Sequence, residues 1–142
     1  MLRVTKLTDY ATVVLAALAI APNRVHSAAE LAERSHLELP TVSKLLKPLA
    51  HAGLVTGFRG ASGGYRLARA PAQISLIEIV EAIEGPLGVT ECSGEHSNCA
   101  HEPHCGVQGQ WRQINDVIAD TLRGMTLAQM LPKGIPIKLA SA

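Results

Sequence analysis

Val42, Leu45, Leu46 and Leu49 recur at i, i+3, i+4 and i+7. This spacing puts four apolar side chains on one side of a helix and leaves Thr41, Ser43, Lys44 and Lys47 outward or flanking. What surrounds the stripe narrows the fold. Upstream, Ser27-Ala28-Ala29-Glu30 has the spacing of a capping box, in which the serine oxygen takes an orphan N–H and the glutamate reaches back. A short helix from Ala28 to about Ser35 follows, then a turn over His36–Leu39. Pro40 falls in the first turn of the next helix, where its missing N–H leaves no partner wanting. Pro48 removes a bond to the Lys44 carbonyl and predicts a kinked or shortened last turn. Gly53 stops this helix, Leu54–Phe58 and Tyr65–Leu67 read as strands, and glycine-rich Arg59–Gly64 joins them. Ahead of all this, Thr8 is a candidate cap for a helix to Ala21, ended by Pro22-Asn23, with apolar residues around most of its circumference. Three helices, a short turn between the second and third, and then a β-hairpin describe a winged helix-turn-helix in a mainly α chain.

The charge distribution suits a reader of nucleic acid. Residues 1–71 carry nine Lys/Arg against four Asp/Glu, a net +5, and residues 72–142 carry four against eight, a net −4. A basic half of this kind faces a polyanion. Thr41, Ser43, Lys44 and Lys47 on the third helix suit base edges and phosphates, and Arg59 and Ser62 in the hairpin turn suit a wing tip. Only four residues are aromatic (Tyr10, Phe58, Tyr65 and Trp111). That argues against a surface that stacks single-stranded bases on aromatic rings, and the helix-turn-helix makes a double-stranded DNA operator the expected partner.

Two other readings of the first half are weaker. Arg3 and Lys6 ahead of the apolar run Val13–Ala21 resemble a secretory signal, but Asp9 interrupts the basic region. The run also falls short of the roughly 20 apolar residues a membrane span needs, so a buried helix of a cytoplasmic protein is expected. Gly60-Ala61-Ser62-Gly63-Gly64 fits the G-x-S-x-G elbow of serine hydrolases, yet the elbow demands a helix after the serine and this chain continues as strand. No enzyme is expected.

The second half, residues 72–142, reads as a helix, a loop and a longer helix. Ile74–Glu84 is amphipathic with Ile77, Val80 and Ile83 as its inner set. Residues 85–106 hold four of the twelve glycines, two prolines and all three cysteines, and so form a loop. From about Val107 to Arg123 a helix carries Trp111, Ile114, Val117, Ile118 and Leu122 as a stripe, and a short tail Thr126–Leu131 ends at Pro132. Cys92, Cys99 and Cys105 make C-x6-C-x5-C, with His96, His101 and His104 among them. An odd cysteine count disfavours a closed disulfide framework and favours a reducing compartment. Three thiolates converging from one loop can ligate an iron–sulfur cluster or zinc. A fourth ligand then comes from a histidine, a carboxylate or a second subunit.

The chain resembles the winged-helix iron–sulfur regulators that include IscR and NsrR, over nearly its whole length. The likeness is carried by Leu2-Arg3-Val4-Thr5-Lys6-Leu7-Thr8-Asp9-Tyr10-Ala11, Val42-Ser43-Lys44-Leu45-Leu46, Phe58-Arg59-Gly60-Ala61-Ser62-Gly63-Gly64-Tyr65 and the three cysteines. Leu7-Thr8-Asp9-Tyr10-Ala11-Thr12-Val13-Val14 and Val89-Thr90-Glu91-Cys92 make it most similar to members that regulate the Suf iron–sulfur assembly operon. The resemblance implies a homodimer held by the long C-terminal helix, here through Trp111, Ile114 and Ile118. It also implies a cluster, 2Fe-2S ahead of 4Fe-4S, on Cys92, Cys99 and Cys105, and DNA binding that depends on cluster state. In IscR-like members a histidine three residues after the third cysteine completes the site; here that residue is Gln108. Asp9 matches the carboxylate that the partner subunit supplies in NsrR-like members, and His104 is the alternative. The implied activity is control of iron–sulfur assembly genes; a nitric oxide or redox-responsive regulator of the same family is the alternative. A redox or electron-transfer metalloprotein without DNA binding is the competing class.

Overall fold

The computed structural model of the protein describes residues 2–132, so the last ten residues of the 72–142 segment lie outside the described residues. Helix α1 spans Lys6–Ala19, and its cap is Thr5 rather than Thr8. Thr5 has the extended backbone a cap requires, and its oxygen accepts the Thr8 N–H at 3.2 Å. Thr8 therefore sits inside the first turn, buried. Ala11, Val14, Leu15, Ala17, Leu18 and Ala19 are buried as well, as an apolar circumference requires.

Helix α2, Ala28–Ser35, begins at Ser27, whose side chain accepts from the Glu30 N–H at 3.1 Å. Only this half of the expected box forms. The Glu30 carboxylate turns to Arg24 at 2.7 Å and Arg34 at 3.3 Å, because two guanidiniums outbid one backbone N–H. His36, in left-handed conformation with φ 56°, ends α2 and reverses the chain. Helix α3, Leu39–His51, follows Glu38, whose side chain makes no cap bond, and has Pro40 at its second position. Pro48 does not shorten it: the helix runs on to His51. Lys44, whose carbonyl loses its partner, is exposed to water.

Strands β1 (Val55–Phe58) and β2 (Gly64–Leu67) pair antiparallel, Val55 opposite Leu67 and Phe58 opposite Gly64. Leu54 lies just before β1, fully buried. The segment ahead of α2 adds a third edge. His26 and Tyr65 exchange backbone bonds of 2.8 and 2.7 Å, which anchors the hairpin to the helix-turn-helix. The fit is close at Gly64, where a Cβ would stand 2.2 Å from the His26 carbonyl oxygen.

Helix α4 spans Leu76–Glu84 behind a complete capping box of Ser75 and Glu78. It starts later than Ile74 because Ile74 and Ser75 are extended, with Ser75 bridged to Thr126, the Ile74 carbonyl accepting from Leu127 and the Leu76 N–H donating to Met125. Its buried residues are Ile77, Ile79 and Val80, while Ile83 is half-buried. The loop contains one short 3-10 turn, Glu102–His104. Helix α5, Gln108–Gly124, and the short α6, Leu127–Met130, complete the chain. One core gathers α1, α2, α3 and the hairpin together with Ile74, Ile79 and Leu127. The architecture is the winged helix-turn-helix, followed by a loop and a helix that stands largely outside the core.

Candidate nucleic-acid interface and thiol loop

The four-residue stripe of α3 is buried almost completely, which fixes what the helix presents outward. Ser43, Lys44 and Lys47 are exposed and Thr41 is half-buried, while Arg59 and Ser62 are exposed in the hairpin turn. Among the described residues, ion pairs engage Arg24, Arg34, Arg69, Arg112 and Arg123 but leave Lys44, Lys47 and Arg59 without an acidic partner. These three cations are available to phosphates. Arg66, which sequence reasoning passed over, lies on the Phe58 ring with its guanidinium 4.9 Å from the ring centre, stiffening the wing. Gly63 closes the turn by donating to the Gly60 carbonyl at 3.0 Å, and a Cβ there would strike the Phe58 oxygen at 2.3 Å. Ser62 is followed by β2, not by a helix, so the hydrolase elbow is not formed.

Two carboxylates brace this reader. Burial acts to raise the Glu30 pKa, but Arg24, His26 and Arg34 overcome it and hold the group below the usual carboxylate range. Glu84, the last residue of α4, accepts from the Thr8 hydroxyl at 2.6 Å and the Thr5 N–H at 2.8 Å. Partial burial opposes ionisation there too, and those bonds outweigh it, so Glu84 also lies low.

The loop begins at Gly85, whose φ of 82° only glycine adopts readily. Its first arm is held by a turn in which Thr90 N–H donates to Ser93 Oγ at 2.8 Å and Ser93 Oγ donates back to the Thr90 carbonyl at 3.0 Å. Cys92 is buried with its Sγ 3.3 Å from Thr90 Oγ1, and Cys99 and Cys105 are half-buried. One face of α5 fastens both arms. Asn115 Oδ1 accepts from Val89 N–H at 2.9 Å, and Arg112 Nε donates to the Cys92 carbonyl at 3.2 Å. Arg112 also pairs with Glu102 at 3.4 Å, and the Gln108 amide donates to the same carboxylate oxygen. Sequence reading treated Gln108 only as a missing ligand and passed over Arg112, Asn115 and Glu102. Their spacing along α5 was the available signal: positions 108, 112 and 115 share one polar side of the helix.

The donor set suits a thiophilic metal or an iron–sulfur cluster, with three thiols on one loop. Among the described residues, however, no three His, Cys, Asp or Glu side chains stand close enough to share one metal ion. A bound group would have to draw the loop together, coupling its binding to loop order. His96, His101 and His104 are exposed, the last two with ring centres 6.4 Å apart. Asp9 is exposed on α1 beside a cavity of about 190 Å³ lined by Val4, Thr12, Ile79, Leu122 and Met130. No residue of the 85–107 loop lines that cavity, and among the described residues Asp9 does not join the thiols in a metal-holding group. Along α5 the apolar stripe lies bare: Trp111 is 38%, Ile114 42% and Val117 61% exposed, while Ile118 is half-buried.

A family profile described as "Rrf2: Iron-dependent Transcriptional regulator" matches residues 4–133. The chain belongs to the Rrf2 family. Members are transcription regulators, not enzymes, and the likeness to IscR seen in the sequence is upheld. The HTH-type transcriptional regulator IscR of Vibrio vulnificus is 30% identical over 112 residues, 79% of this chain and 66% of that protein. Among solved structures, T. potens IscR is 30% identical with a TM-score of 0.66, covering 91% of this chain and 85% of that one. CymR (YrzC), the global cysteine regulator of B. subtilis, is 27% identical with a TM-score of 0.71, covering 92% and 96%. Rrf2 regulators bind DNA, and this chain carries the helix-turn-helix and wing for that task. No helix among the described residues is long and apolar enough to cross a membrane.

Proposed function

We propose that this Rrf2 regulator is a cytoplasmic homodimer that binds double-stranded operator DNA through α3 and the wing and senses through an iron–sulfur cluster, of 2Fe-2S form, on Cys92, Cys99 and Cys105. The genes controlled are those of iron–sulfur assembly, in keeping with the Suf-like sequence features. One observation carries the reading: three thiols share a loop whose two arms are fastened to α5, the helix whose apolar stripe lies bare. Pairing that stripe between two copies covers Trp111, Ile114 and Ile118 and sets each loop beside the other subunit. The partner subunit's Asp9 is then the candidate fourth ligand, with His104 of the loop as the alternative. When bound, the cluster supplies a group that oxidant, nitric oxide or scarcity can remove.

The rest is done by this chain. Residues 1–71 act as the reader, with Thr41, Ser43, Lys44, Lys47, Arg59 and Ser62 as contacts; residues 72–142 act as sensor and dimer helix. Loop order reaches the reader through Glu84, which ends α4 immediately before the loop and holds the first turn of α1. A modest energy difference between loop states is enough to shift the population of DNA-binding geometries.

The test is the absorption spectrum, iron content and sulfide content of anaerobically purified protein, with Cys92→Ala, Cys99→Ala and Cys105→Ala beside it. Visible absorption with iron and sulfide in equal amounts, bleached in each variant, supports the reading. Zinc without sulfide, or reversible thiol oxidation alone, replaces the cluster while leaving the DNA reader intact. A reversible redox couple with no salt-dependent DNA affinity points to an electron-transfer protein and refutes the regulator.

A further inference from the structure

We propose that Arg112 and Glu102 form a clasp that holds the three cysteines in register, with Gln108 as its third member, and that none of these three residues is itself a ligand. The inference deepens the reading of the loop as a thiol site and rests on it for its purpose, though not for its geometry.

Arg112 donates through Nε to the Cys92 carbonyl at 3.2 Å and through Nη2 to the Glu102 carboxylate at 3.4 Å. A guanidinium has separate donors in a rigid planar fork, so it can bridge two acceptors at a set spacing, and a lysine ammonium cannot reproduce that. The Glu102 main chain meets the other two cysteines. Its N–H donates to the Cys99 carbonyl at 3.2 Å, and its carbonyl accepts from the Cys105 N–H at 3.2 Å. The two residues of one ion pair are therefore each a single hydrogen bond from a cysteine main chain, Arg112 through its side chain to Cys92 and Glu102 through its backbone to Cys99 and Cys105, although the cysteines lie up to thirteen positions apart in sequence. The short turn Glu102–His104 is what puts Cys99 and Cys105 on either side of Glu102.

Gln108 and Glu102 face each other rather than the thiols. The Gln108 amide spends its donor on the carboxylate oxygen that Arg112 also engages. With those donors in place the carboxylate is committed, and the guanidinium beside it would repel a metal cation bound there. The adjacent positive charge instead suits a neighbourhood that gathers three thiolates. The Gln at position 108 is then no defect: it exchanges a ligand for a brace. Outer-sphere partners of this kind typically set metal affinity by about 10- to 100-fold. Arg112 is half-exposed, which puts the expected effect at the low end.

The experiment uses the full chain, reduced and metal-free, with two readouts. Iodoacetamide labelling, resolved by cysteine through mass spectrometry, reports loop order without any metal. Anaerobic titration with Co²⁺ reports thiolate ligation through charge-transfer absorption. Arg112→Met and Glu102→Ala should each speed labelling of Cys99 and Cys105 by about three- to tenfold and weaken Co²⁺ binding by about tenfold. The absorption at saturation should stay the same, the double variant should be no worse than either single one, and Glu102→Gln, which keeps an acceptor, should recover most of the protection. Labelling rates unchanged in both single variants would overturn the clasp. So would a Glu102→Ala protein that labels normally but saturates with a different Co²⁺ spectrum, because Glu102 would then be a ligand. If the wild-type chain binds no Co²⁺, the metal-sensing reading suffers, while the labelling rates still decide the clasp.

Discussion

Replacing Lys44 and Lys47 together with alanine separates charge from fold, because both side chains are exposed and neither has an acidic partner among the described residues. Alanine is the better helix former, so α3 loses nothing in the exchange and the thermal midpoint should hold. The effect belongs to DNA alone. Each phosphate neutralised contributes about 0.9 to the slope of log K against log salt. If one of the two lysines meets a phosphate in each subunit of a dimer, the slope falls by about 1.8. Between 50 and 200 mM salt, that difference means the wild-type protein loses about tenfold more affinity than the variant. Non-specific binding carries the same electrostatic contribution, so a labelled duplex of arbitrary sequence is an adequate probe. Fluorescence anisotropy across a salt series gives the slope, and circular dichroism checks the fold. Parallel salt slopes for the variant and wild type, with the fold intact, would remove α3 from the interface. Arg59→Ala, run beside it, tests the wing in the same way.

Ile114→Glu should turn a dimer into a folded monomer in sedimentation: Ile114 is 42% exposed in the single chain, so the charge meets water there, but pairing would desolvate it at a cost of several kcal/mol. A clean dimer would mean that the stripe is not the interface. Gly64→Ala should destabilise more than Gly60→Ala in thermal unfolding, since its Cβ would stand 2.2 Å from the His26 carbonyl oxygen, whereas at Gly60 nothing lies within 4 Å and only the φ of 106° is strained; equal losses would count against the His26–Tyr65 anchor. Glu84→Gln should cost about 1 kcal/mol at neutral pH, a discounted figure for a partly exposed hydrogen-bonded carboxylate. Because the folded pKa of Glu84 is depressed, its contribution is full above the ordinary carboxylate range and disappears as pH falls through the folded value. The gap between variant and wild type should therefore close in acid, and a constant gap would refute the assignment.

Most of the reader was legible in the sequence because local signals and burial agreed there. The α3 stripe, the Ser27 cap, Gly53 and the glycine-rich hairpin each state in a few residues what the fold then does. The errors fell where a long-range partner outcompeted a local one. Thr8 looked like a cap, yet Glu84, seventy-six residues away, takes its hydroxyl, and Thr5 caps instead. Glu30 looked like the second half of a capping box, yet Arg24 and Arg34 claim it. Ile74 looked like the start of α4, yet its carbonyl receives the Leu127 N–H at 2.8 Å and stays extended. No window of neighbouring residues contains those partners.

The thiol loop was legible in its chemistry and not in its geometry. Cysteine spacing names the donors, but their separation in space depends on which α5 side chains seize the loop backbone, and apolar periodicity draws the eye to the neighbouring face of that helix. The same limit applies to how loop and reader communicate. Helix α4 is tied at both ends to the reader: Glu78 pairs at 2.7 Å with Arg69, just past β2, and Glu84 holds Thr5 and Thr8 at the start of α1. The loop departs from the Glu84 end. Any ordering of the loop that tilts α4 must strain one of these two attachments or carry it along, and what they carry is the hairpin bearing Arg59 and the helix on which α2 and α3 pack. The loop and the reader are thus joined by two carboxylates on a helix of nine residues, which makes α4, rather than Asp9 alone, the element through which the state of the thiols would reach DNA if the proposed sensing holds.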